Sequence, residues 1–127
     1  HHAGGATSED RALATETLQQ YANLRMDSDV TRCKLYALLL PAYTILGDQE
    51  ACNRMIGEIQ GLLPVVRAEQ SRALLSVTLY GCTDNCIYRE QAHGIVDSWR
   101  TEERPKKIKA QLIRRLDDYD EWLGHRR

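Results

Sequence analysis

The sequence predicts an all-α fold in which about six helices stack as antiparallel hairpins, and three observations support this prediction. Residues that favour helix, above all Ala, Leu, Glu, Gln and Arg, are plentiful, whereas Pro occurs only three times. No segment alternates apolar and polar residues as a half-buried strand does, and no Asn-Gly or Asp-Gly hairpin turn occurs. Short turns separate the apolar-patterned segments, and short connections make neighbouring helices pack antiparallel.

Composition narrows the class of protein. A chain of 127 residues suits one domain, and its net charge of −1 creates no overall field that would attract nucleic acid or an anionic membrane. The longest apolar run, residues 35–43, is interrupted by Pro41 and is too short to span a membrane. Residues 1–6 resemble the end of an affinity tag with its linker. We therefore expect a single domain over residues 7–127, with no membrane span and no nucleic-acid partner.

Two helices are predicted in the first part of the chain. The first covers residues 9–25, where leucines and a tyrosine recur at helical spacing. The second covers residues 30–46 and ends at Gly47. Pro41 lies inside it and is expected to kink the helix, because proline removes one backbone donor. The predicted N-caps are Ser8 for the first helix, and Ser28 or Asp29 for the second.

Four more helices follow. The third begins after Asp48 and ends near Leu62, and the fourth covers residues 66–80 and stops at Gly81. The fifth begins after Thr83 or Asp84 and continues to Trp99. The sixth begins at Pro105, since proline is favoured at the first helical position, and its apolar residues recur as far as Leu123. Together the six segments predict a succession of antiparallel helix pairs.

Glycine and cysteine recur along the chain at the same period. Gly47 and Gly81 are 34 residues apart, as are Cys52 and Cys86, and this is the period of the tetratricopeptide repeat. The segment 33–66 resembles one such repeat. The residues that match the family pattern in it are Tyr36, Leu39, Tyr43, Gly47, Cys52, Ile56, Ile59 and Pro64.

A second copy of the pattern, over residues 67–100, is less complete. Glu90 and His93 stand where the family has apolar residues. The resemblance implies a right-handed array of stacked hairpins, with the last helix as a cap. An unrelated helical bundle is the alternative fold. The residues that do fit the family pattern in the second copy are Leu74, Val77, Gly81 and Cys86.

The resemblance also implies a function, that of a non-enzymatic scaffold or adaptor domain without a cofactor. In the family, the first helix of each pair lines a concave groove that binds a peptide or helix of a partner protein. The alternatives are a sensor or dimerisation domain of a bacterial regulator, and a secretion-system chaperone or pilotin. The residues at the matching groove positions are Lys34, Ala37, Pro41, Thr44, Ser71, Leu75 and Thr78.

The four cysteines allow three interpretations. Cys52 and Cys86 stand where the family has a small core residue, a role that a free cysteine fills well. The stacking that the resemblance implies would also bring Cys52, Cys82 and Cys86 to one end, where a disulfide that includes Cys82 is a second interpretation. Zinc is the third, but no histidine lies at the right spacing to complete a four-ligand site. The expected location is cytoplasmic, or exported or periplasmic if a disulfide forms.

Charged residues late in the chain are predicted to form solvated faces. Consecutive carboxylates on a helix point in different directions, which argues against a paired-carboxylate active site. The basic residues lack the interleaved aromatic residues of a nucleic-acid surface. His93 has no catalytic partner at an evident spacing and is predicted to be a satisfied or exposed helix histidine. The two clusters are Asp117, Asp118, Asp120 and Glu121, and Arg100, Arg104, Lys106, Lys107 and Lys109.

Overall fold

A computed structural model describes residues 6–125, so all of the predicted tag, residues 1–6, except Ala6 lies outside the described part of the chain. Within it, the prediction of an all-α fold with six helices is confirmed, and no strand occurs among these residues. A short 3-10 turn, Asp97–Trp99, follows the fifth helix. The helices are α1 (Ser8–Tyr21), α2 (Asp29–Leu46), α3 (Gln49–Leu62), α4 (Glu69–Thr83), α5 (Cys86–Val96) and α6 (Lys107–Trp122).

Side-chain caps explain where four of the helices begin. Thr7, rather than the predicted Ser8, caps α1, because its hydroxyl accepts from the Asp10 amide while the Asp10 carboxylate accepts from the Thr7 amide. Ser28 and Asp48 cap α2 and α3 as predicted, and Asn85 caps α5. Each of these side chains accepts a hydrogen bond from a backbone amide that the first helical turn leaves without a partner.

Several predicted boundaries are wrong, among them the start of α4, which lies at Glu69 rather than at residue 66. Helix α1 ends at Tyr21 rather than near Arg25. Helix α6 begins at Lys107, so Pro105 precedes the helix instead of opening it. Helix α4 does not stop at Gly81 but continues to Thr83, and the left-handed residue that ends it is Asp84, with φ of 54°. Asp84 is of a type that tolerates this conformation.

Gly81 has a packing role rather than a terminating one. The ring of Tyr119 on α6 packs directly against its Cα, and a Cβ added at Gly81 would overlap the ring carbons. The small residue therefore allows α6 to approach α4 closely, which is a reason for glycine inside a helix that periodicity does not reveal.

The chain divides into two compact units, and the boundary along the sequence lies between Arg67 and Ala68. In the first unit, α2 packs against both α1 and α3. A helix with neighbours on two sides buries apolar residues around much of its circumference, and α2 does so while continuing through Pro41 without a break. Its buried residues are Cys33, Leu35, Tyr36, Ala37, Leu39, Leu40 and Ala42.

The second unit is built around α4, which packs against α5 and α6. Six consecutive residues of α4, from Leu75 to Tyr80, are buried, as expected for the central helix of a three-helix unit. The hydroxyl of Thr78 is satisfied there, since it donates to the Leu74 carbonyl oxygen at 2.7 Å. Trp99, Leu112 and Leu116 complete this core and are almost fully buried.

None of the helices in residues 6–125 is both long enough and apolar enough to cross a membrane.

Candidate functional site

An open cleft of about 460 Å³ lies between α2 and α3 in the first unit. Its volume falls within the range of about 300–1,000 Å³ that is usual for ligand sites in proteins. The antiparallel hairpin of α2 and α3 places the first turns of α2 opposite the last turns of α3, so both helices contribute to the lining. The lining residues are Asp29, Arg32, Tyr36, Arg54, Gly57, Glu58, Gly61, Leu62 and Val65.

Two glycines on α3 leave space in the cleft. Gly57 and Gly61 are four residues apart and so lie on one face of the helix. Glycine inside a helix is less favourable than alanine by about 1 kcal/mol. Packing does not require it here, because a Cβ added at either position would meet nothing within 4 Å. The two residues therefore weaken α3 slightly while leaving its backbone accessible from the cleft.

Tyr36 and Glu58 join the two helices across the cleft. The buried Tyr36 donates its hydroxyl to Glu58 Oε2 at 3.3 Å, which is long for a bond of this type. Burial, followed by the nearby Glu58 carboxylate, raises the pKa of Tyr36. The hydroxyl thus remains protonated at neutral pH and serves as a donor.

Arg32 and Arg54 carry the unused donors of the cleft. Both are exposed, and within residues 6–125 neither side chain makes a hydrogen bond or an ion pair. Asp29 also lines the cleft, but it is the first residue of α2, where the positive end of the helix dipole favours a negative charge. The two guanidinium groups are therefore the cleft's charged groups that are available to a ligand.

The predicted groove positions differ in their exposure. Leu75 and Thr78 are fully buried in the second unit, which corrects their assignment as ligand-contacting residues. The family resemblance assigns them to the groove-lining helix of the second pair, but that helix, α4, is the central helix of its unit and leaves little of its surface open. Ala37 is buried as well. The other positions, whose binding role stays a prediction, are Lys34, Pro41, Thr44 and Ser71.

None of the four cysteines forms a disulfide, so the disulfide predicted among Cys52, Cys82 and Cys86 is absent from residues 6–125. Cys52 is buried in the first unit, with Sγ 3.6 Å from the Thr44 hydroxyl, which agrees with its interpretation as a small core residue. Cys86 is exposed, so the same interpretation is wrong for it. It opens α5 directly after the turn, at a position that faces solvent. In the described part of the chain, no group of three or more His, Cys, Asp or Glu residues is placed to hold a metal ion.

A buried charged network in the second unit is centred on Asp120. The Tyr80 hydroxyl and Arg89 Nε both donate to Asp120 Oδ1, at 2.5 and 2.7 Å. His93 Nε2 lies 2.7 Å from the other carboxylate oxygen. Asp120 is only 6% exposed, so its assignment to a solvated acidic face is wrong. It continues the buried stripe of α6 and joins that helix to both α4 and α5.

His93 is held between two carboxylates. Its Nε2 faces Asp120, and its Nδ1 lies 3.0 Å from Asp97 Oδ1. Only an imidazolium carries a proton on both ring nitrogens, so the charged form can donate to both carboxylates, whereas a neutral ring can donate to only one. Of the two predicted alternatives, a satisfied or an exposed helix histidine, the structure shows the satisfied one, and the ring links α5 to α6.

Two arginines extend the network towards the surface. Arg100 donates to Asp97 at 2.9 Å and to both oxygens of Asp117, at 2.8 and 3.1 Å. The hydrogen bonds that Arg100 donates to both carboxylates raise its pKa, and those to Asp117 are the larger cause. Arg89 also donates to the His125 carbonyl oxygen at 2.8 Å. Among residues 6–125, every buried side-chain nitrogen and oxygen has a hydrogen-bond partner, so this network is internally satisfied.

The basic cluster is partly used inside the second unit. Arg100 belongs to the Asp120 network, and Lys109 Nζ lies 2.9 Å from Glu102 and 5.3 Å from the centroid of the Trp99 ring. Trp99 is itself buried, with 2% of its surface exposed, so its ring is not an aromatic surface beside these basic residues. The exposed remainder of the cluster, as predicted for a solvated face, is Arg104, Lys106 and Lys107.

No protein-family model matches this chain, and no curated protein or solved structure does so either. The Asp120 network and the cleft between α2 and α3 differ in their geometry. The Asp120 network is closed, and its donors and acceptors satisfy one another. The cleft is open and offers guanidinium donors that no residue between 6 and 125 uses. The cleft is accordingly the candidate functional site, and the network is a structural element of the second unit.

We expect the Asp120 network to make the second unit less stable in acid. Burial by itself raises the pKa of the Asp120 carboxyl, but the hydrogen bonds, with that from Arg89 the largest, outweigh burial and hold the pKa below its usual value. A carboxyl with a lowered folded-state pKa stabilises the fold above its unfolded pKa of about 4, and this contribution disappears as the pH falls through the folded-state value. We expect the free energy of unfolding of the second unit to decrease progressively below about pH 4.

Urea unfolding followed by tryptophan fluorescence measures this effect, because both tryptophans, Trp99 and Trp122, lie in the second unit. The matched variant is Asp120→Asn, which has no carboxylate charge at this position. The stability difference between the two proteins is expected to narrow as the pH falls below about 4. A difference that stays constant down to the lowest pH would show that Asp120 carries no stabilising charge.

Parts of both features were visible in the sequence. Gly57 and Gly61 are four residues apart, which places two residues without side chains on one face of a helix, and neither position belongs to the repeat pattern. Asp120 follows Leu112 and Leu116 at four-residue intervals, which places it on the buried stripe of its helix. Its partners on α4 and α5 had no such signal, because they come together only when the three helices pack.

Proposed function

We propose that this chain is a non-enzymatic protein-interaction domain and that the cleft between α2 and α3 binds a segment of a partner protein. The observation that carries the proposal is the cleft itself, of about 460 Å³, where Gly57 and Gly61 lack side chains for no packing reason. The resemblance of residues 33–66 to a tetratricopeptide repeat supports the same class of function. The proposed binding site differs from the groove of that family, since it lies between the two helices of one hairpin.

The cleft suits a peptide segment in three respects. Its floor is accessible helix backbone, so the main chain of a bound segment can approach closely. Val65, which is 60% exposed, provides apolar surface at the end of α3. Tyr36 provides a rigid aromatic side chain whose hydroxyl makes only a long hydrogen bond. Buried apolar contact together with a few convergent polar groups is the usual composition of a binding site.

A substitution that fills the cleft tests this proposal. Gly61→Leu should place a bulky side chain in the space of the ligand and weaken peptide binding by about tenfold or more. It should not unfold the protein, because leucine favours helix by about 0.8 kcal/mol more than glycine and finds open space at this position. Binding is measured by fluorescence anisotropy, with labelled peptides selected on the wild-type protein from a random peptide library displayed on phage.

Gly94→Leu is the matched control. Gly94 is an exposed glycine inside α5, and a Cβ there also meets nothing within 4 Å, but it lies in the other unit. It should leave the affinity of the selected peptides unchanged. Equal affinities for wild type and Gly61→Leu would refute binding in the cleft, and failure to select any peptide would argue against the proposed function altogether.

A further inference from the structure

We infer that the cleft recognises an acidic segment, one whose Asp or Glu carboxylate is bound by Arg32 and Arg54. This inference rests on the proposed function and adds the chemistry of the partner to it. It comes from the charged groups of the cleft lining, which are Asp29, Arg32, Arg54 and Glu58.

Within residues 6–125 neither acidic lining residue forms an ion pair, but each has a favourable interaction of its own. Glu58 accepts the hydrogen bond of the Tyr36 hydroxyl across the cleft. Asp29 occupies the first turn of α2, where a negative charge interacts favourably with the backbone amides of the helix start. Neither carboxylate therefore requires a cation from a ligand.

The basic lining residues are not compensated. Within residues 6–125, the guanidinium groups of Arg32 and Arg54 have no hydrogen-bond or salt-bridge partner, although carboxylates lie on the same helices. In the second unit, by contrast, Arg89 and Arg100 each donate to a carboxylate at 2.7–3.1 Å. Arginine is the side chain best suited to bind a carboxylate through two parallel hydrogen bonds, and the cleft contains two such side chains, one on each helix.

Both arginines of the cleft lie one helical turn from a residue of the Tyr36–Glu58 contact. Arg32 lies one turn before Tyr36 on α2, and Arg54 lies one turn before Glu58 on α3. Because Tyr36 and Glu58 contact each other, the two arginines border the same contact from different helices. An acidic side chain that enters beside Tyr36 comes within reach of donors from both sides, while the rest of the segment lies over Gly57 and Gly61.

Selection from the same random phage library tests the inference. Peptides retained by the wild-type protein are expected to be enriched in Asp and Glu over the unselected library. Their affinity is expected to fall about tenfold in Arg32→Gln and in Arg54→Gln, because each substitution removes a charge-assisted hydrogen bond. Replacing Asp and Glu by Asn and Gln in a selected peptide should cause a similar loss, and added salt should weaken the acidic peptide more than its amide form.

Arg11→Gln is the matched control for charge. Arg11 is an exposed arginine on α1 of the same unit, but it does not line the cleft. This control should change the affinity of the selected peptides much less than Arg32→Gln does. An equal effect would indicate a general electrostatic attraction and would overturn the inference that Arg32 and Arg54 bind the carboxylate. Selected peptides without acidic enrichment that still lose binding in Gly61→Leu would overturn the inference while leaving the proposed function intact. Peptides that bind Gly61→Leu as well as wild type would overturn both.

Discussion

Asp120→Ala is expected to destabilise the second unit by about 3–5 kcal/mol, the usual effect of removing one partner from a buried ion pair. The carboxylate receives hydrogen bonds from Tyr80 and Arg89 and lies 2.7 Å from His93. Alanine removes the shared acceptor, so these donors remain in a largely buried site without their partner. Urea unfolding followed by tryptophan fluorescence measures the change.

Asp118→Ala is the matched control, since Asp118 is a carboxylate two residues earlier on the same helix. In the described part of the chain it makes no hydrogen bond or ion pair, and its removal should change stability by less than about 0.5 kcal/mol. A double-mutant cycle with His93→Gln separates the pairwise interaction from the loss of the individual side chains. Equal effects of Asp118→Ala and Asp120→Ala would show that the buried network does not stabilise the unit.

Trp99→Ala is expected to have a comparable effect, a loss of about 3–5 kcal/mol for a large aromatic side chain removed from a core. Trp99 is 2% exposed, and its Nε1 donates to Glu69 Oε1 at 2.8 Å. The substitution leaves a cavity, removes the partner of Glu69 and takes away the ring over which Lys109 lies. Urea unfolding followed by far-ultraviolet circular dichroism is the measurement, because the substitution also removes a fluorophore.

Trp122→Ala is the comparison for this prediction. Trp122 is 42% exposed, and its ring makes an edge contact with Tyr119 at 5.9 Å between centroids. Its loss should cost about 1 kcal/mol, the value of an aromatic pair at the surface. If the two tryptophan substitutions destabilised the protein equally, the burial of Trp99 would contribute nothing to the fold.

The secondary structure was predictable because its causes are local. Helix-favouring residues, capping side chains at Ser28 and Asp48, and the left-handed Gly47 with φ of 72° act within a few residues of each helix end. Gly81 was misinterpreted for the opposite reason. Its role depends on the ring of Tyr119, which lies far away in sequence and occupies the space where a Cβ would be.

The binding residues were less predictable than the fold. The family pattern predicts that the first helix of each pair contacts the ligand. Leu75 and Thr78 on that helix are buried, because α4 packs against both α5 and α6. The cleft uses residues outside that pattern, among them Arg32, Arg54 and Gly61. A repeat alignment matches the residues that stabilise a hairpin, and these need not be the residues that a ligand contacts.

The sequence by itself determined that this chain forms helices, roughly where they begin and end, and that short turns reverse its direction. Those properties follow from backbone propensity, capping and periodicity, which act over one or two turns. The tertiary structure alone decided which charges find partners and which stay available. Spacing places Asp120 on the buried stripe of α6, but only the packing against α4 and α5 supplies the donors that satisfy it, whereas Arg54 borders an open cleft without a partner in the described chain. Neighbours that are distant in sequence set the solvation of a charge, and its solvation decides whether it stabilises the fold or can bind a partner.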